Sequence, residues 1–169
     1  SMISPYMVGN RMIWGTKMGD TDIGRQAEEW IKAGNKLNYI DFAWKYIQKG
    51  MSPIFEWCSR QQRIVVDYPE DELRLTAIRC MESGEYINIP SMIEAAKRYN
   101  IEVCEIFPSN WKLSSGFIDS VRSETAPIEG YIVRFFPHDH MVKVKTELYC
   151  QLHRIKSEID HERGVVSLI

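Results

Sequence analysis

The sequence predicts an α+β domain rich in antiparallel strands. Three observations carry the prediction. Runs such as Leu73, Leu75 and Ala77 alternate with polar residues at the two-residue period of a strand. Other stretches place apolar residues at helical spacing between capping signals. Tight turns, Glu82-Ser83-Gly84-Glu85 and Pro137-His138-Asp139-His140, join neighbouring strand-like runs.

Taken in order, Arg11 to Trp14 reads as a short strand after the turn signal Val8-Gly9-Asn10. Asp20 or Thr21 can cap a helix in which Ile23, Ala27, Trp30 and Ile31 recur until Gly34 stops the pattern. A second amphipathic helix, about Asn38 to Gln48, carries Ile40, Ala43, Tyr46 and Ile47. After Pro53 come the strand-like runs Ile54–Cys58, Arg63–Tyr68 and Leu73–Cys80, and the turn at residues 82–85 closes a hairpin. Pro90 to Tyr99 is a helix with proline in its first turn, followed by a strand Glu102–Phe107. Ser109 to Ser120 reads as a weakly patterned helix. Glu129 to Phe135 is a strand, Met141 to Lys145 returns beside it, and Thr146 to Ile159 is a helix with Leu148, Leu152, Ile155 and Ile159 on one stripe.

Composition bounds the function. At 169 residues, 44% hydrophobic and 26% charged, the chain has the make-up of one ordinary soluble domain, which excludes disorder, collagen and coiled coil. A net charge of −2 gives no bulk attraction for nucleic acid, so any such binding must rest on a local patch. The charge is uneven: 9 cations face 7 carboxylates over residues 1–68, 4 face 8 over residues 69–109, and 8 face 8 over residues 110–169. Cys58, Cys80, Cys104 and Cys150 lie 22, 24 and 46 residues apart, without the close pairing of a zinc site. With no apolar segment of spanning length and no signal-peptide pattern, they read as reduced, buried thiols of a cytoplasmic protein without membrane contact. His138-Asp139-His140 reads as a solvated turn, because alternate side chains of a tight turn diverge and no third ligand is near in sequence; no metal ligand set is expected.

Three charged sets fall where a strand should be apolar or alternating. Glu56 lies between Ile54-Phe55 and Trp57-Cys58, where a carboxylate is costly to bury unless paired. Glu129 opens a strand beside Gly130, which permits close approach of a ligand or another backbone. Lys143 and Lys145 share one strand face across Val144 and suit a polyphosphate. Each has a plainer structural reading: Glu56 as a partner of Arg63, Glu129 as the cap of a strand, and Lys-Val-Lys as a solvated edge. Trp14, Trp30, Trp57 and Trp111 are candidates for base stacking. Trp30 lies on a core stripe, and Trp57, beside Glu56, is expected nearer the site.

In this order, Phe55-Glu56-Trp57, Arg63-Ile64-Val65-Val66-Asp67-Tyr68, Glu129-Gly130-Tyr131-Ile132-Val133 and Lys143-Val144-Lys145 resemble the covalent nucleotidyltransferase superfamily of polynucleotide ligases and capping enzymes. The downstream stretch Glu82-Ser83-Gly84-Glu85-Tyr86-Ile87 and the run Lys143 to Tyr149 followed by Leu152-His153 resemble more closely the bacteriophage-type ATP-dependent RNA ligases that repair cleaved tRNA. The similarity runs over nearly the whole chain. It departs from the family at the front, because the nucleophilic Lys-x-Asp-Gly motif is absent and no Asp-Gly dipeptide occurs anywhere. In the family Ser and apolar residues follow that motif, as Ser1-Met2-Ile3-Ser4 do here.

The resemblance implies that residues 1–169 are part of an antiparallel-rich nucleotidyltransferase (ATP-grasp-like adenylylation) domain whose amino-terminal part is missing, as is a carboxy-terminal specificity domain. It implies ATP and Mg²⁺ as cofactors and RNA ends, tRNA among them, as partners. Glu129 matches a carboxylate beside the nucleophile and metal, and Lys143 and Lys145 match lysines that contact the α-phosphate. Glu56 matches a ribose contact, Lys17 and Tyr149 match nucleotide contacts, and Ile132 matches an apolar wall for adenine. The implied activity is joining of RNA ends through lysyl-AMP and RNA-adenylate intermediates, with this chain by itself unable to adenylylate. A ligase-derived RNA-binding or interaction module without catalysis is the alternative.

Overall fold

A computed structural model describes residues 1–60, 69–107, 116–126, 128–135 and 140–155. They fall into two compact units: the first is Ser1–Ser59 with Glu70–Ile106, and the second draws on Arg60–Pro69 and Phe107–Ile169.

In the first unit, strands β1 (Met2–Val8), β2 (Arg11–Gly15), β3 (Met51–Cys58) and β4 (Glu72–Cys80) form an antiparallel sheet in the order β2-β1-β3-β4. Helices α1 (Asp22–Ala33), α2 (Leu37–Ile47) and α3 (Ile89–Arg98) supply the rest of its core. One sheet face presents Ile3, Trp14, Phe55, Trp57, Leu73 and Leu75 to Ala27, Ile31, Phe42, Ala43, Met92 and Ala96 of the helices. Alternation therefore turns Met2, Ser4, Glu56 and Arg74 to the opposite face. The Ser4 and Ser52 hydroxyls meet there, with oxygens 2.5 Å apart.

The Thr21 and Pro90 signals are realised as helix starts, and the structure adds a cap at Asn88. Thr21 Oγ1 accepts from the Gly24 amide at 3.4 Å, and Asn88 Oδ1 accepts from the Ser91 amide at 2.9 Å, with Pro90 in the first turn of α3. The turn after β4 is also as expected: Gly84 takes φ +77, and Arg79 bridges Tyr86 antiparallel.

Three expectations need correction in this unit. The sequence pattern does not mark β1, because Pro5 interrupts it. Pairing of β1 with β3 stops at Ile3, so the proline lies beyond that register and its missing N–H is not demanded there. β3 begins at Met51, before the proline expected to precede it; Pro53 keeps its register with Ile78, and the register shifts only between Ile54 and Phe55, where Thr76 of β4 is the extra residue. The strand expected over Glu102–Phe107 shrinks to one parallel bridge, Leu75 to Val103. The Leu75 amide donates to Glu102 O at 2.8 Å and its carbonyl accepts from the Cys104 amide at 3.1 Å; only Val103 of this run packs on the core.

Gly24 sets the distance between α1 and the sheet. A Cβ there would lie 2.0 Å from the Trp14 carbonyl oxygen, so the helix backbone rests directly on β2. Gly24→Ala should lower stability by about 1–3 kcal/mol through overpacking, a loss of roughly 3–10 °C in Tm. Thermal denaturation checks it, and an unchanged Tm would mean that α1 does not rest on β2.

In the second unit, β5 (Gly130–Phe135) and β6 (His140–Lys145) form an antiparallel pair in which Gly130 faces Lys145, Ile132 faces Lys143 and Phe135 faces His140. Both strands touch α4 (Phe117–Arg122). Residues 147–155 are helical. The expected strand Arg63–Tyr68, the first part of the helix expected from Ser109, Pro137-His138-Asp139, Trp111 and the last turn to Ile159 lie outside the described residues. No helix among the described residues is long and apolar enough to cross a membrane. The cysteines are free, but only Cys58 is buried; Cys80 and Cys104 are half-buried and Cys150 is exposed, which corrects the expectation of buried thiols. Cys104 follows the one-residue bridge at Val103, and Cys150 sits at an exposed position of the helix of residues 147–155.

Candidate active site

The two cations of β6 and the carboxylate that opens β5 come together. Glu129 Oε1 lies 2.5 Å from Lys143 Nζ and 3.4 Å from Lys145 Nζ. Lys143 and Lys145 share a face because they are two residues apart, and Glu129 reaches it from the strand opposite. Burial alone would raise the Glu129 carboxyl, but the hydrogen bond and charge of Lys143, supported by Lys145, outweigh it and hold the group below its ordinary value.

This predicts a pH dependence. Because the folded state lowers Glu129, its contribution is present above the unfolded value of about 4.5 and is lost as pH falls through the depressed folded value. Glu129→Gln should therefore be less stable than the parent at neutral pH, with the two converging in acid. The difference is small, since the pair is partly solvated. Thermal melts from pH 7 to about 3 measure it, and a gap that widens in acid would reverse the sign.

Gly130 resolves the choice left open by the sequence: what approaches closely is backbone. Its φ is +148, and a Cβ would lie 2.1 Å from the Val144 carbonyl oxygen and 2.7 Å from Lys145 Cα. Ile132, paired with Lys143, is 58% exposed on the lysine face. Tyr149 is buried, and its ring lies under Lys145 Nζ at 4.8 Å, so it sets the position of that ammonium. The face thus offers two ammonium groups, a carboxylate and an exposed apolar side chain within one ribbon.

Thr146 escaped the sequence reading as anything more than a helix start. It is fully buried; its amide donates to Glu129 O at 3.0 Å, its hydroxyl donates to Ile128 O at 3.0 Å, and the same oxygen accepts from the Tyr149 amide at 3.1 Å. The available signal was a capping residue placed directly after Lys145.

In the first unit, Glu56 lies on the open face of the sheet, and its Oε1 is 2.5 Å from the Ser1 ammonium. The proposed partner Arg63 lies outside the described residues. Arg74, directly across from Glu56, binds Glu72 at 2.5 Å. Lys17 occupies an exposed two-residue turn closed by hydrogen bonds between Thr16 and Gly19 at 3.0 and 2.9 Å. Register puts Lys17 and Glu56 at the same end of the sheet: β1 faces Gly15 from Ser4 on one side and Glu56 from Met2 on the other. Trp57 corrects the expectation that it approaches the site. It is buried on the helix side, edge-on to Trp30 at 5.9 Å, since strand alternation sends it opposite to Glu56. Trp14 is core as well. No group of three or more His, Cys, Asp or Glu among the described residues is arranged to hold a metal ion.

Comparison with known proteins bears on the family and the fold. A family model described as RNA ligase matches residues 1–149. A Thermovibrio ammonificans protein curated as "Putative RNA ligase" is 26% identical over 132 residues, which is 76% of this chain and 33% of the relative. Among solved structures, a Naegleria gruberi RNA ligase with pyrophosphate matches with a TM-score of 0.66 at 11% identity, over 91% of this chain and 49% of that one. A variant of that ligase with ATP and manganese matches with a TM-score of 0.65 at 11% identity, over 91% and 48%. At such identity the likeness is one of fold, and the mixed helix and antiparallel-sheet architecture is that of RNA ligase nucleotidyltransferase structures. The chain spans about a third of the curated relative and about half of the solved ligase.

Proposed function

Because the chain belongs to the RNA ligase family, we propose that it is the nucleotide-handling part of an ATP-dependent ligase that joins RNA ends through lysyl-AMP and RNA-adenylate intermediates. One observation carries this reading: two lysines and a carboxylate converge on one strand face, beside an exposed isoleucine. Such a face suits a nucleotide. Lys143 and Lys145 take the α-phosphate and neutralise the charge that develops as pyrophosphate leaves. Glu129 orients the two ammonium groups and by motif position is the carboxylate beside the nucleophile and metal, and Ile132 offers an apolar surface for adenine. Glu56 and Lys17 are assigned to ribose and nucleotide contacts by motif position. ATP arrives with a divalent cation, Mg²⁺ in this reading, which shields phosphate charge. The RNA ends, with tRNA as one candidate, and a cytoplasmic setting belong to the same proposal.

The chain contains no Lys-x-Asp-Gly motif, so it should bind nucleotide without taking AMP covalently. Incubation with radiolabelled ATP is expected to leave it unlabelled, and acid-stable labelling of any of its lysines would contradict the assignment. Calorimetric titration with Mg·ATP should show weak binding that falls with salt and is lost in the Lys143→Ala/Lys145→Ala double variant. Binding that ignores both salt and the double change would place any nucleotide elsewhere. The full native protein decides between ligase and non-catalytic module: transfer of AMP to it supports the first, and RNA binding without transfer the second.

A further inference from the structure

The geometry points to Thr146 as a positioning residue of the nucleotide site: its buried hydroxyl ties the residue before Glu129 to the first turn that carries Tyr149, and its amide continues the ribbon to Glu129 itself. The inference rests on the ligase reading above and adds a residue to it. Regular pairing of β5 with β6 ends at the rung Gly130–Lys145. Beyond that rung the ladder would fray, and the carboxylate of Glu129 would swing free. Thr146 prevents this by holding two successive carbonyls, Glu129 O through its amide and Ile128 O through its hydroxyl, both at 3.0 Å.

The same hydroxyl oxygen accepts the Tyr149 amide at 3.1 Å and so caps the helix of residues 147–155. That cap sets the first turn of the helix and with it the Tyr149 ring under Lys145 Nζ. Lys145 and Tyr149 lie within three residues of Thr146 along the chain, and Glu129, 17 residues earlier, is joined to it across the ribbon by the backbone hydrogen bond. A hydroxyl is required because it donates and accepts at once. Valine has nearly the same shape but would leave Ile128 O and the Tyr149 amide without these partners in a buried place.

The test compares Thr146→Val with Thr146→Ser in the full native protein, measuring single-turnover transfer of AMP at several ATP concentrations and, separately, the melting temperature. Serine keeps both hydrogen bonds and should retain near-parental rates. Valine should lose about a hundredfold in the rate of transfer at saturating ATP, the scale expected for a misplacement of about 1 Å, with a smaller change in KM. The assays are run well below the lower melting temperature, so that loss of folded protein cannot mimic the effect. A valine variant that melts lower yet transfers AMP at the parental rate would reduce Thr146 to a helix cap and overturn the inference. So would a serine variant as slow as valine. If the parent protein takes no AMP, the ligase reading itself fails, and the positioning role fails with it.

Discussion

Lys143→Ala and Lys145→Ala, each introduced into the full native protein, are expected to cut transfer of AMP by about 100- to 1000-fold. Stability should barely change. Both side chains are more than a third exposed, and ion pairs in that setting are worth about 0–1 kcal/mol. The asymmetry arises because the ammonium groups meet their strongest demand only when phosphate charge builds in the transition state, where preorganised cations contribute several kcal/mol. Rapid-quench transfer assays alongside thermal melts check both halves. Activity that survives both substitutions would leave Lys143-Val144-Lys145 as a solvated strand edge.

Gly130→Ala should damage the same site by another route. At φ +148 an L-residue is strained by about 1–3 kcal/mol even in open space. Here the added methyl would meet the Val144 carbonyl at 2.1 Å, and the obstacle is backbone, which cannot rotate away. The rung that pairs Gly130 with Lys145 must open, and Glu129 separates from both lysines. The expected result is a clear fall in Tm together with loss of Mg·ATP binding, whereas the lysine variants lose binding at nearly constant Tm. A Gly130→Ala protein that melts and binds as the parent does would show that the ribbon tolerates a wider spacing.

Much of the fold was legible because its signals are local. Thr21, Gly34 and Pro90 act on neighbouring amides and carbonyls, so α1 and α3 could be read to within a residue or two, whereas the weakly patterned run from Ser109 gave only α4, Phe117–Arg122, among the described residues. The pairing of Gly130–Phe135 with His140–Lys145 followed from two alternating runs around a short turn. β1 was illegible because Pro5 reads as a strand breaker, and its harmlessness depends on where pairing with β3 stops. The strand expected at Glu102–Phe107 failed for the complementary reason: the residues permit extension, but β4 offers a partner only at Leu75. The division into two compact units left no composition or linker signal along the chain.

The sequence by itself determined the class of elements, the identity of the charged groups and, through strand alternation, that Lys143 and Lys145 share a face. Tertiary structure decided the rest. It sent Trp57 into the core with Trp30, turned Glu56 to the open face of the sheet, laid Tyr149 under Lys145, and tied Glu129 to both lysines beside Gly130 and Thr146. The physical reason is one of range. Side-chain period and capping follow from bonds spanning at most four residues, whereas a partner is chosen by register between segments that only the folded chain brings together.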